Sequence, residues 1–295
     1  MALDIHDVRF LLAARKKGLN CDRVVTFGRL HLNVYPHKVA EILKAEGLPF
    51  DPDAVPLIDG QAVAEPFFRA IGAREVVSLD ISDYQGATLL HDMNLPIPDT
   101  MRNQFDLLFD GGSLEHIFNF PTAIKNCMEM VRPGGSIIIH TVANNSFGHG
   151  FYQFSAELFY RIFSEENGYT VDNLIVHMVG PYGRWYQVAD PEKIKERVQL
   201  ITWFPVLLLV QARKLRDVPV FTTPPQQSDF AAWWKEVDQA KAQGAISQPR
   251  VRPPGFLEKR LPGLARLVNV IRMGWLFYST QRLGNRKFYT PVAKR

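Results

Sequence analysis

Asp80 and Asp110 each end a short apolar run, Asp92 follows another, and Gly111 and Gly112 come directly after Asp110. A carboxylate at the end of such a run accepts two hydrogen bonds at once from a ligand, or forms the turn itself. Glu115 and His116 follow shortly, and His149 lies between Gly148 and Gly150. Carboxylates and imidazoles are the usual groups for taking a proton from a hydroxyl. The same residues have structural uses, since Glu115 can begin a helix and a histidine between glycines can close a turn. The eight histidines show no HxH or HxxxH spacing, and Cys21 and Cys127 stand alone, so no metal site is expected. A magnesium ion on Asp110 has no further ligand pattern behind it.

The elements that must position these residues are legible as alternating patterns. Residues 4–17 have helical spacing of Ile5, Val8, Leu11 and Leu12, with Asp4 as cap and Gly18 after the basic turn. Apolar runs at 24–27, 76–79, 88–90, 105–109 and 137–139 read as strands, and 37–45, 62–71 and a stretch from Pro121 to the break at 132–135 read as helices between them. Ser155 caps a further helix, and runs at 174–179 and 206–210 supply two late strands that can pair antiparallel at a sheet edge. The expected fold is α/β, a Rossmann-like, doubly wound, mostly parallel sheet with an antiparallel edge strand, plus a basic helical C-terminal extension. Such sheets bind ligands at the carboxyl ends of their strands, which selects Gly28, Asp80, Asp92, Asp110 and Asn144. His116 and His149 fall on that face, whereas His6, His37 and His177 do not.

The 295 residues, 46% hydrophobic and 22% charged, exclude a disordered or fibrous chain. Asp4 and Asp7 precede any apolar run, the wrong order for a secretory leader, and the longest apolar run, 200–210, contains Pro205 and is too short to span a bilayer. A cytoplasmic protein is expected. The net charge of +4 conceals an asymmetry: residues 250–295 carry 11 Lys or Arg against Glu258 alone, giving +10, and residues 1–249 carry −6. Within 262–278, Leu264, Leu267, Val268, Ile271, Trp275 and Tyr278 share a helical face. That face can rest on an anionic membrane surface, or pack on the main domain or a second subunit. No nucleic-acid recognition motif accompanies it. The divisions expected are an N-terminal helix at 1–19, a main domain at 20–212, and a Pro-rich linker with a basic amphipathic helical tail at 213–295.

The runs Val76 to Asp80, Phe105 to Asp110, and Val131, Arg132, Pro133, Gly134 and Gly135, in that order, resemble class I S-adenosylmethionine-dependent methyltransferases over residues 20–212. Residues 105–119 and 144–154 further resemble methyltransferase-like proteins of bacterial surface-polysaccharide synthesis. The resemblance implies S-adenosylmethionine as cofactor. It implies that Asp80 grips the ribose hydroxyls, with Asp92 at the adenine amino group and Met93 on the ring, and that Gly28, Arg29, Ile81, Asp110 and Gly111 belong to the same binding site. It places the acceptor pocket at Glu115 and His116. A saccharide or glycan hydroxyl as acceptor would need a base, and His149 and His116, both on the ligand face, are the candidates. The chain departs from the family in having one glycine, Gly28, after the first strand, followed by Arg29, which is suited to pair with the methionine carboxylate. Three rivals stand beside this reading: a binding protein that has lost the cofactor, a sugar-nucleotide-dependent transferase, and a nucleic-acid modifier. The oligomeric state is not legible.

Overall fold

The computed structural model describes residues 2–180, 182–242 and 255–292. Their centre is a nine-stranded sheet. In chain order its strands are β1 (Arg23–Phe27), β2 (Glu75–Asp80), β3 (Leu89–Leu90), β4 (Phe105–Asp110), β5 (Val131–Asn144), β6 (Tyr169–Met178), β7 (Trp185–Val188), β8 (Val206–Lys214) and β9 (Tyr289–Val292). They lie side by side as β3-β2-β1-β4-β5-β8-β6-β7-β9. The pairs from β3 to β5 are parallel, and every pair from β5 outward to β9 is antiparallel.

The helices are α1 (Ile5–Lys16), α2 (Pro36–Ala45), α3 (Glu65–Ala70), α4 (Phe120–Met130), α5 (Ala156–Ile162), α6 (Pro191–Ile194), α7 (Ser228–Ala242), α8 (Phe256–Arg260) and α9 (Pro262–Thr280). They make the sheet doubly wound. Side chains alternate across a strand, so Val24 and Ile138 face α1, α2 and α3 through Leu11, Leu43, Phe67 and Phe68, while Val25, Ile137 and Ile139 face α4 and α5 through Ile124, Cys127 and Phe159. All six residues of β4 are buried, as a central strand covered on both faces requires.

Three features depart from the sequence-based expectation. The turn expected at 132–135 is instead the irregular start of β5, where the register against β4 shifts between Phe105 and Leu107 and Arg132 pairs with Asp106. The antiparallel edge is broader than one strand, and the two expected late strands lie inside it rather than at its rim. Its outermost member, β9, comes from the basic tail, where no strand was expected. Pro249, Pro253, Pro254, Arg250, Lys294 and Arg295, which entered the sequence-based reading of the tail, lie outside the described residues.

The N-terminus is held to the sheet by buried polar groups. Asp4 caps α1 by accepting the His6 and Asp7 N–H groups, and Asp7 returns the bond to the Asp4 N–H at 2.7 Å. On the sheet side of α1, His140 of β5 lies 3.0 Å from an Asp7 carboxylate oxygen and 3.0 Å from His177 of β6. Trp185 of β7 donates to His6 Nδ1 at 2.7 Å. Burial alone would depress His140, but the facing Asp7 carboxylate overrides it and holds the imidazole up to about 9. Burial, and then the His140 charge, push His177 down to about 3.

Candidate active site

The parallel strands end at one rim, and the strand order reverses between β1 and β4, which leaves a crevice outside their carboxyl ends. A cavity of about 540 Å³ occupies it. Phe27 and Gly28 come from the end of β1, Leu79, Asp80 and Ile81 from β2, His91, Asp92, Met93 and Asn94 from the segment after β3, and Gly112, Ser113, His116 and Ile117 from the segment after β4. The size suits a small cofactor, and apolar walls with a few convergent polar groups are the usual make-up of such pockets.

Gly28 adopts a φ of 63°, the left-handed region where a side chain would be strained, and its N–H donates to the Leu79 carbonyl at 2.7 Å. One Asp80 oxygen, Oδ1, accepts the Ile81 N–H at 2.7 Å and the Ser82 N–H at 3.4 Å. Among the described residues Oδ2 makes no hydrogen bond. Asp92 Oδ1 accepts both the backbone and the side-chain N–H of Asn94, each at 2.9 Å, which holds its carboxyl below the ordinary value. Met93 is buried in the same wall. Behind it, Asn126 of α4 donates to the Leu95 carbonyl at 2.7 Å and accepts the Ile97 N–H at 3.2 Å, so a buried amide fixes the loop that carries Asp92 and Met93.

Five expected site residues, Arg29, Asp110, Gly111, Glu115 and His149, do not line the cavity. Arg29 pairs with Glu65 of α3 at 2.5 Å, with a second contact to the Gln85 carbonyl at 3.3 Å. Asp110 is fully buried and accepts the Ser113 and Leu114 N–H groups at 2.8 and 3.4 Å, closing the turn beneath the rim. Burial and then the neighbouring Glu115 carboxylate raise it to about 7. Gly111 backs onto the N-terminal segment: its carbonyl accepts the Ala2 N–H at 3.2 Å, and a Cβ there would sit 2.9 Å from the Ala2 oxygen. The N-terminal segment that Gly111 backs onto, Ala2–Leu3, pairs with His31–Leu32 and covers that side of the rim.

Beside His116, which lines the cavity, the structure gathers Glu115 and His149, which do not. Glu115 is only 1% exposed. Its Oε2 accepts the Thr141 hydroxyl at 2.9 Å, and its Oε1 faces His149 Nε2 at 3.6 Å. The His116 and His149 rings are 5.0 Å apart, edge to face. The loop carrying His149 is pinned to Glu115 by the Phe151 and Tyr152 N–H groups, which donate to its carbonyl at 2.7 and 3.2 Å. Gly150 makes that approach possible: its φ is 73°, and a Cβ would lie 2.7 Å from the Glu115 carbonyl oxygen.

The donor atoms of Glu115, His116 and His149 lie within 4.8 Å of one another, a grouping that local spacing could not reveal because His149 is distant in sequence. A second such group, Asp4, Asp7 and His140, is taken up by helix capping and an ion pair. Asn126 and Thr141 were not singled out from sequence. The signal for Asn126 is a polar residue interrupting the apolar stripe of Ala123, Ile124 and Cys127.

No family model matches the chain, and no curated protein matches it. Among solved structures, the 1,6-didemethyltoxoflavin-N1-methyltransferase of Burkholderia thailandensis, bound to 1,6-didemethyltoxoflavin and S-adenosylhomocysteine, is 13% identical over 72% of this chain and 78% of its own, with a TM-score of 0.38. The branched-chain polyamine synthase of Thermus thermophilus, in complex with N4-aminopropylspermidine and 5'-methylthioadenosine, is 14% identical over 75% of this chain and 60% of its own, with a TM-score of 0.36. The YcgJ protein of Bacillus subtilis is 12% identical over 72% of this chain and 100% of its own, with a TM-score of 0.37. At this level of similarity the activity must be argued from the chain's own cavity.

Proposed function

We propose that the chain transfers a methyl group from S-adenosylmethionine to a hydroxyl of a saccharide or glycan intermediate. The observation that carries the reading is a cavity with two chemically different ends: the carboxylates Asp80 and Asp92 at one, and His116 at the other, where Glu115 and His149 gather beside it just outside the lining. The first end fits an adenosine. Asp80 has an oxygen without a partner for the ribose hydroxyls, Asp92 accepts from the adenine amino group, and Met93 and Ile81 offer apolar surface to the ring. Gly28 lets the backbone approach without a side chain in the way. The Arg29 charge, which would oppose a nearby sulfonium, is balanced by Glu65.

When bound, the cofactor supplies an electrophilic methyl carbon whose thioether leaves neutral, so the acceptor's proton is the one the protein has to move. His149 takes it at Nδ1, while the buried Glu115 carboxylate facing Nε2 stabilises the imidazolium that forms. The pinned loop holds both groups beside the cavity and limits the motion that would misalign the acceptor.

A thermal-shift panel tests the cofactor. S-adenosylhomocysteine at a hundredfold excess over its Kd adds about 2.7 kcal/mol, a rise of roughly 5 °C in Tm, and uridine diphosphate adds nothing. Stabilisation by the nucleotide alone would replace this reading with a sugar-nucleotide transferase. For the acceptor end, His149→Ala is expected to lower kcat about 100- to 10,000-fold and leave cofactor affinity unchanged, with a chelator having no effect on the wild type. The convergent donor atoms favour one second reading, a divalent cation bound by Glu115, His116 and His149. Loss of turnover on chelation, restored by added zinc or manganese, would establish that reading instead.

A further inference from the structure

Helix α9 presents an unusual surface. Ten apolar side chains between Leu264 and Tyr278 are each more than a third exposed, and no residue of the helix is buried. The expected face of Leu264, Leu267, Val268, Ile271, Trp275 and Tyr278 is there, and it does not pack on the body of the protein. No helix is long and apolar enough to cross a membrane among the described residues. Around this apolar surface the charge has one sign: residues 259–292 contain seven Lys or Arg and no Asp or Glu. Of the seven, Lys287 pairs with Glu196.

The helix is joined to the loop after β5 by hydrogen-bonded segments. At its carboxyl end, the Gln281 carbonyl accepts the Ile201 N–H at 2.6 Å. Residues 200–204 are bound in turn to the loop after β5: Asn145 donates to the Thr202 carbonyl at 2.6 Å and to the Phe204 carbonyl at 3.1 Å. That loop carries His149. Each segment also exposes large apolar side chains, with Trp203 at 85% and Phe147 at 97%, and the Phe118 and Phe151 rings meet edge to face, 5.8 Å apart, beside them. Scattered apolar residues on a surface need no explanation, but ten on one helix, with charges of a single sign around them, do.

We propose that α9 and the exposed aromatic side chains beside it dock this protein onto an anionic lipid surface, with the loop that carries His149 facing that surface. A second copy of the chain is the poorer occupant, because two such cationic segments would repel at close range, whereas an anionic headgroup layer neutralises them and accepts the Trp, Phe and Leu side chains. Building on the methyl-transfer reading, the geometry then selects an amphiphilic acceptor, one that offers its hydroxyl from the lipid side while its tail stays in the bilayer.

The test uses the full chain and vesicles of phosphatidylcholine with or without one-quarter phosphatidylglycerol, in a sedimentation assay that does not depend on catalysis. The protein is expected to pellet with the anionic vesicles, at least tenfold less with neutral vesicles or at 0.5 M salt, and at least tenfold less as Leu267→Asp/Ile271→Asp. Both positions are exposed, so an unchanged Tm checks that the variant is folded. Equal partition of wild type and variant, or of anionic and neutral vesicles, overturns the docking. So does a wild-type dimer that the variant dissolves, which would make the helix a subunit interface. The shift with S-adenosylhomocysteine is measured on the same samples, so failure of the lipid arm and failure of the cofactor reading are separate results.

Discussion

Replacing Asp80 by alanine is expected to weaken S-adenosylhomocysteine binding between 100- and 10,000-fold in calorimetry. A hydrogen bond to a charged group contributes about 1.5–3 kcal/mol, and two ribose hydroxyls on one carboxylate double that. The fold should survive, because Asp80 is the last residue of β2, is only half-buried, and spends one oxygen on the turn that follows. Asp80→Asn refines the test: it keeps the shape and one acceptor, so its loss should be intermediate. Unchanged affinity in both variants would remove Asp80 from the binding site and, with it, the physical basis for an adenosine in this cavity.

The second large effect lies behind the site. Asp7→Asn is expected to destabilise the protein by about 3–5 kcal/mol in denaturant unfolding, the usual cost of stranding one partner of a buried ion pair. The hydrogen bonds fix the protons. His177 Nδ1 faces the Met178 carbonyl at 3.0 Å, which can only accept, so its Nε2 is left to accept from His140. His140 then donates from Nε2 to His177 and from Nδ1 to Asp7, which makes it an imidazolium facing a carboxylate.

The pH dependence follows from these assignments. The folded pKa of His140, about 9, lies above its ordinary 6.5, so its contribution to stability is full below about 6.5 and is lost as the pH rises through about 9. Asp7, raised by burial to about 6 against the pull of His140, likewise favours the protonated form in the folded state and gives up stability as the pH climbs from 3.8 through 6. The wild-type Tm should therefore fall between pH 7 and 10, and the Asp7→Asn variant should lack that alkaline decline. Removing both partners, as Asp7→Asn/His140→Gln, should recover part of the loss. A variant as stable as the wild type would show that the pair contributes nothing.

Much of the layout was legible in the sequence because the sheet's central strands carry short apolar stretches, and two of them, β2 and β4, end in a carboxylate. The β4 run from Phe105 to Asp110 can be read without any tertiary information. Asp80, Ile81, Asp92, Met93, Gly28 and His116 line the cavity for the same reason: each sits at or just past a strand end, and the rule for doubly wound sheets needs only the strand order. Arg29, Asp110 and Gly111 also follow strand ends, yet support the rim instead. Their roles are set by Glu65, Ser113 and Ala2, partners that chain order does not bring together. The buried histidines were invisible for a related reason. His140 sits within a strand whose apolar neighbours hide it, and its partners Asp7 and His177 come from α1 and β6. Strand β9 was missed because Tyr289–Val292 contains a proline and lies in a basic tail, and its β character depends on pairing with β7.

That last strand ties two jobs to one piece of chain. Because Tyr289–Val292 covers β7, cutting the polypeptide ahead of α9 would strip away a helix and at the same moment bare a row of unpaired peptide groups, a template for clumping with other molecules. Any truncate made to probe the helix would thus misreport, mixing lost adhesion with new stickiness at the sheet's margin. Point changes along the helix, with the terminal strand left in place, keep the two apart.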